Sequence, residues 1–210
     1  KEELLHASHL ALKEGCWVAG PFTQKFEEWL QVKVNAPFVL TVHSGTQALE
    51  IIARYTAKNF HNFYQFKPTV RIPNITYPAT LNAFISAGFD VELADTDKYG
   101  LLKYEPKTLP SYAFECQVGL YGAPPEYVSP LTSIVDGAQH WLVADNEIGA
   151  GMAISFDPTK NLPSSGNGGA IVTSDRELYD WAYEYRSNGK PDHHESGTNS
   201  RMSEQDCAQL

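Results

Sequence analysis

The feature that most constrains this chain is the regular exchange of two hydrophobic periods along it. Short apolar runs read as strands at Pro37-Phe38-Val39-Leu40, Val70-Arg71-Ile72, Val91-Glu92-Leu93, Ala113 to Val118, Ser133-Ile134-Val135, Ala153-Ile154-Ser155-Phe156 and Ala170-Ile171-Val172. Between them, apolar residues recur at helical spacing. Such faces are Phe22, Phe26, Trp29 and Leu30 after Pro21, and Ala48, Ile51, Ile52 and Tyr55 in a helix opened by Ser44-Gly45-Thr46. A shorter helix spans Ala79 to Ala87 and is stopped by Gly88. The last strong one has Leu178, Trp181, Ala182 and Tyr185 on its face and is predicted to start at Ser174, in a capping box with Glu177. This alternation implies an α/β domain whose mainly parallel sheet is flanked by helices. In such sheets ligands bind at the carboxyl ends of the strands. Ser44-Gly45-Thr46, Thr76-Tyr77, Asp136 and Ser155 to Lys160 all fall at those ends.

Charge and composition remove several classes of function. A formal net charge of -9, with no Lys/Arg cluster, argues against a nucleic-acid surface and against an anionic membrane. No apolar run approaches the roughly 20 residues of a membrane span, and the N-terminus lacks the residue order of a signal peptide. Cys16, Cys116 and Cys207 are odd in number and far apart, which suits reduced thiols and a cytoplasmic protein. The histidines, His193-His194 included, lack a metal-ligand spacing, so no metal is expected. Gly166-Asn167-Gly168-Gly169 is not followed by the Lys-Ser/Thr of a P-loop, and neither a dinucleotide fingerprint nor a nucleophile elbow is present. Asn59, Phe60, His61 and Phe63 read as an exposed insertion. The chain opens on Lys1 and stops under two turns into a helix from Ser203. So short a helix needs docking, a partner or a continuation, and the chain reads as a fragment or a truncated form.

The residues at the strand ends then acquire chemistry as a set. Lys160 follows a buried strand in a turn with Pro158, a setting in which a lysine of lowered pKa can bond a carbonyl cofactor. Asp136 closes an apolar strand ahead of two small residues, where a carboxylate can pair with the protonated ring nitrogen of pyridoxal phosphate (PLP). Ser44-Gly45-Thr46 puts a backbone-accessible turn at a helix N-terminus, which suits a phosphate. Tyr77 can lie over a planar ring. Taken singly, each has a plainer reading: a solvated lysine, a turn aspartate, an N-cap and a core tyrosine.

In order along the chain, seven blocks resemble the DegT/DnrJ/StrS sugar-aminotransferase family of fold-type I PLP enzymes. They are Ser44-Gly45-Thr46-Gln47-Ala48-Leu49, Thr76-Tyr77-Pro78-Ala79-Thr80, Leu120-Tyr121-Gly122, Asp136-Gly137-Ala138-Gln139, Ser155 to Asn161, Gly168-Gly169-Ala170 and Asn199-Ser200-Arg201-Met202. The resemblance implies that residues 1–210 form the PLP-binding large domain, truncated before the family's smaller C-terminal domain. It implies that Lys160 holds the cofactor and moves the proton between cofactor and substrate carbons. Asp136 is then the partner of the pyridine nitrogen, Gln139 of the phenolic oxygen, and Tyr77 stacks on the ring. Gly45, Thr46 and Ser155 hold the phosphate, and Asn199 reaches it from the partner subunit of a homodimer. The reaction implied is transfer of an amino group, usually from glutamate, to a nucleotide-linked keto sugar.

Three positions depart from the family pattern. Gly119 replaces a histidine before Leu120-Tyr121-Gly122, Asn167 replaces a glutamate before the glycine pair, and Asn188 replaces a histidine after Arg186. None belongs to the cofactor set, and a loosening of substrate-side loops is the expected consequence. Two other readings stand beside the aminotransferase. One is a non-catalytic PLP-binding or scaffold protein of the same fold. The other is a sugar dehydratase, against which Lys160 argues, since a histidine takes the lysine's place in those relatives.

Overall fold

The structure, a computed structural model, describes residues 2–103, 113–141, 148–193 and 196–210. Two helices, α1 (Glu2–Glu14) and α2 (Pro21–Val34), lead into β1 (Phe38–Val42), α3 (Gly45–Phe63), β2 (Thr69–Pro73), α4 (Pro78–Ser86), β3 (Asp90–Ala94) and β4 (Ala113–Val118). After a 3-10 turn at Leu120–Gly122 come β5 (Ser133–Asp136), β6 (Gly151–Ser155), β7 (Gly169–Thr173), α5 (Arg176–Tyr185) and α6 (Glu204–Gln209). Among the described residues the seven strands form one sheet in the order β1-β7-β6-β5-β4-β2-β3. Strands β3, β2, β4, β5 and β6 pair in parallel, and β7 runs antiparallel to both β6 and β1. The fold is therefore α/β with a mostly parallel sheet, as the alternating periods imply.

Two cores lie on the two faces of this sheet. On one face Val42, Val70, Ile72, Cys116 and Ile134 pack with Ile51 and Ile52 of α3, Phe84 of α4 and Leu178 of α5. On the other, Val39, Val135, Met152 and Ile154 pack with Phe26 and Leu30 of α2 and Cys207 of α6. Every residue of β6 and β7 is buried, because helices cover both sides. Each fully buried aliphatic side chain here stabilises the fold by about 1.5–3 kcal/mol. No helix among the described residues is long and apolar enough to cross a membrane.

Several expectations are corrected. The cap of α5 is Asp175, whose side chain accepts from the Glu177 amide at 2.8 Å, so Ser174 lies outside the helix. Residues 59–63 are the last turn of α3 rather than an insertion; His61 and Phe63 are exposed, but Phe60 is buried there against Phe66 and Phe114. Trp29 sits at the edge of its face, half exposed and stacked on Phe26. His194 lies outside the described residues.

The short helix α6 finds its packing within the same chain, against α1 and α2. Its Glu204 is 1% exposed and caps α2 from 184 residues away. That carboxylate accepts from the amides of Gly20 at 2.8 Å, Phe22 at 2.8 Å and Thr23 at 2.9 Å, and from the Thr23 hydroxyl. Free amides at a helix start attract a negative group. Because α6 is satisfied in this way, its apolar residues give no independent argument for a partner subunit.

Candidate active site

Strand register builds one wall of a cleft at the carboxyl end of the sheet. Val42 pairs with Gly169, and Gly169 with Ser155, so three strand ends stand abreast. The Ser44 side chain accepts from the Gln47 amide at 3.1 Å, and the Ser44 carbonyl takes the Ala48 amide at 3.0 Å. The first amides of α3, those of Gly45 and Thr46, are thereby left without intrahelical partners. Space here excludes side chains. A Cβ on Gly45 would lie 2.6 Å from the Ser155 Cβ, and one on Gly169 would strike the Ser44–Gly45 peptide. Glycine at both positions lets the helix start close against β6 and β7.

Asp136 stands at the end of β5, on the floor of the same cleft. Its Oδ2 accepts from the Thr80 hydroxyl at 2.8 Å and its Oδ1 from the Ala138 amide at 3.2 Å. Burial pushes this carboxyl above its usual range, while the Thr80 hydroxyl, the Ala138 amide and the Lys160 charge pull it back. Two donors leave part of the carboxylate's accepting capacity open.

Lys160 is presented by a turn whose Asp157 carbonyl accepts the Lys160 amide at 2.9 Å. Asp157 stiffens that turn by accepting from the amide and hydroxyl of Thr159, which hold its carboxyl below the usual range. The Lys160 ammonium lies over the Tyr77 ring, 5.9 Å from its centroid, at the outer limit of a cation–π contact. Tyr77 is 69% exposed and lines the cleft, so it is not a core tyrosine. Ser155 accepts from the Asp157 amide at 3.3 Å, which leaves its own hydroxyl proton to give. Gln139 Oε1 accepts from the Tyr121 amide at 2.7 Å, so its NH2 group is the end left to donate.

The cleft encloses about 270 Å3 and gathers Gly45, Thr46, Tyr77, Asp136, Gln139, Ser155 and Lys160. Asn199 is not among its lining residues. It is exposed, bridges to Ser187 through the backbone, and accepts from Arg201 at 2.7 Å.

Two of the three departures do reach the cleft: Gly119 and Asn167 line it. At Gly119 the vacated volume is filled from within the chain, since a Cβ there would fall on the ring of His140. His140 is 2% exposed, its Nδ1 has no hydrogen-bond partner among the described residues, and burial pushes its pKa down to about 4. It is a neutral imidazole packed behind the cleft wall. In the sequence Thr76 and Thr80 belong to a matching block without a role of their own, and His140 stands outside every motif; a glycine where bulk is usual, twenty-one positions from a histidine, was the available signal for the last.

A model of the DegT/DnrJ/EryC1/StrS aminotransferase family matches residues 1–105 and 143–210. A dTDP-3-amino-3,4,6-trideoxy-alpha-D-glucose transaminase of Streptomyces venezuelae is 30% identical, over 95% of this chain and 56% of the relative. The erythromycin biosynthesis sensory transduction protein EryC1 of Saccharopolyspora erythraea is 29% identical, over 100% of this chain and 61% of its own length. This chain thus spans roughly three-fifths of those two curated relatives. Among solved structures, S. venezuelae DesV in complex with a ketimine intermediate superposes with a TM-score of 0.85 at 26% identity, covering 99% of this chain and 60% of that one. The fold is also that of Bacillus subtilis ntda with bound cofactor PMP, at a TM-score of 0.82 and 23% identity, covering 99% of this chain and 51% of that one. Ordered motifs, sheet topology and the matched family model agree: the chain belongs to the DegT/DnrJ/EryC1/StrS aminotransferase family.

Proposed function

We propose that residues 1–210 are the cofactor-binding large domain of a PLP-dependent aminotransferase that moves an amino group from glutamate to a nucleotide-linked keto sugar. The observation that carries this reading is the convergence of Lys160, Asp136 and the start of α3 on one cleft. The cleft's donors and acceptors suit PLP group by group. Gly45 and Thr46 offer free amides at a helix N-terminus, and Ser155 adds a hydroxyl, which together suit a phosphate dianion. Asp136 offers an ionisable carboxylate to a ring nitrogen, and Gln139 an oriented NH2 to a phenolic oxygen.

Bound there, PLP supplies a carbonyl that takes up the amino group and a ring that accepts electron density from the substrate carbon. The chain's residues do the rest. Lys160 Nζ would hold the carbonyl group of the cofactor and would be the base that moves a proton at the reacting carbons. Asp136 would hold a proton on the ring nitrogen, Tyr77 would cover one face of the ring, and Gly45, Thr46 and Ser155 would fix its position through the phosphate.

The same reading makes the protein a cytoplasmic homodimer with shared sites. Its support is that Asn199, which the family resemblance assigns to the phosphate of a partner's site, is exposed and outside its own chain's cleft. The three free cysteines support a reducing compartment. Adding PLP to the apo protein is expected to give visible absorbance that glutamate discharges and a keto-sugar nucleotide restores. Lys160→Ala is expected to abolish it. Mixing Lys160→Ala with Asn199→Ala chains should restore normal PLP affinity at one of the two sites of each mixed dimer. A monomer in sedimentation, or no recovery on mixing, counts against sharing; no absorbance in the native protein counts against the cofactor itself.

A further inference from the structure

Behind Asp136 lies a short chain of hydroxyls with no role in the reading so far. Thr80, in the first turn of α4, is fully buried, and its Oγ1 lies 2.8 Å from Asp136 Oδ2 and 2.8 Å from Thr76 Oγ1. The direction of these bonds follows from proton counting. An ionised carboxylate only accepts, so Thr80 commits its one proton to Asp136, and Thr76 must donate to Thr80. Thr76 lines the cleft beside Tyr77.

We propose that Thr80 is a positioning residue: its hydroxyl, oriented by Thr76, holds Asp136 ionised and turned toward the ring nitrogen of the cofactor. A hydroxyl that donates to a carboxylate favours its charged form and fixes its plane. The groups that face Asp136 leave this task to Thr80. β4 contributes the Cys116 thiol, which interacts with the Asp136 backbone; the loop after β6 contributes Lys160; Asp136's own loop contributes the Ala138 amide. Lys160 is the side chain that would bond the cofactor, whereas the Thr80 hydroxyl is a fixed donor at 2.8 Å that takes no part in that bond. The burial that pushes the Asp136 carboxyl upward works against ionisation, and the Thr80 hydroxyl does most to oppose it.

This inference rests on the assignment of Asp136 to the ring nitrogen, so its test has one arm without cofactor. In apo protein carrying 13C-labelled aspartate, with the resonance assigned through Asp136→Asn, Thr80→Val should move the Asp136 titration upward, and Thr80→Ser should leave it near the native position. In the loaded protein, Thr80→Val should weaken PLP retention about tenfold, Thr80→Ser about twofold or less, and Thr76→Val less than Thr80→Val. The inference is overturned if Thr80→Val leaves the aspartate titration unmoved, or if valine and serine weaken retention equally, since packing alone would then explain the loss. Failure of the native protein to take up PLP would sink the reading of the cleft, while the apo titration would still decide what Thr80 does to Asp136.

Discussion

Asp136, partly exposed in the cleft, and Glu204, fully buried between helices, are two acidic side chains that the fold treats differently. At the junction of α2 and α6, Glu204 accepts four hydrogen bonds from Gly20, Phe22 and Thr23 and has nothing left to offer a ligand. At the carboxyl end of the sheet, Asp136 accepts two, one from Thr80 and one from Ala138, and faces open space beside Lys160. The first is satisfied by the fold and serves it. The second is left short of partners in a cleft, which costs stability and leaves a charge to spend on chemistry.

The largest expected effect is on cofactor retention. Asp136→Ala should weaken PLP binding by about 3–5 kcal/mol, the loss typical of breaking a buried ion pair. Gln139→Ala should cost nearer about 1 kcal/mol, the value of a neutral hydrogen bond. Equilibrium dialysis against PLP compares them, and equal small losses would reduce Asp136 to a turn residue. The sign on apo stability should be opposite. Because the folded-state pKa of Asp136 is raised, the bound proton stabilises the fold at low pH, and that contribution is lost as pH rises through the raised value. At neutral pH the apo Asp136→Asn protein should therefore melt above the native one.

Glu204→Ala should do the reverse, lowering stability by about 3 kcal/mol as three amides lose a charged acceptor, with PLP affinity of the folded protein little changed. Urea unfolding measures the first quantity and dialysis the second. A loss confined to PLP affinity would erase the distinction between the two carboxylates.

His140 gives a third, smaller test, since it is buried like Glu204 yet short of partners like Asp136. Its folded pKa of about 4 lies below the ordinary 6.5, so the unfolded chain takes up the proton first as pH falls. Its stabilising contribution is full above 6.5 and lost on the way down to about 4, amounting to at most about 3 kcal/mol. His140→Leu should flatten that part of the stability–pH curve. An unchanged slope would place the titrating imidazole elsewhere.

What could be read in the sequence divides along physical lines. The strands were legible because burial on both faces makes them continuous apolar runs, as in Gly169–Thr173. α3 was legible because Ala48, Ile51, Ile52 and Tyr55 keep a strict helical period above a serine cap. α1 carried no such signal: only Ser8 and Ala11 are buried, while Leu4, Leu5 and Leu12 face solvent. The residues that line the cleft through short motifs were named, because each motif sits at a strand end. Thr80, though part of a motif, and Glu204 were given no role, because their partners lie 56 and more than 180 residues away, and single-sequence periodicity carries no information at that range. Gly119 was noticed as a departure, but that His140 fills its place is a fact of three dimensions.

The central claim is that Lys160 is the residue that holds the cofactor, and reductive trapping tests it most directly. The protein is incubated with PLP, reduced with borohydride, digested and mapped by mass spectrometry. One phosphopyridoxyl group per chain is expected, on Lys160, within the peptide that contains Ser155-Phe156-Asp157-Pro158-Thr159-Lys160. A label on any other lysine, or an equal spread over several, would contradict it.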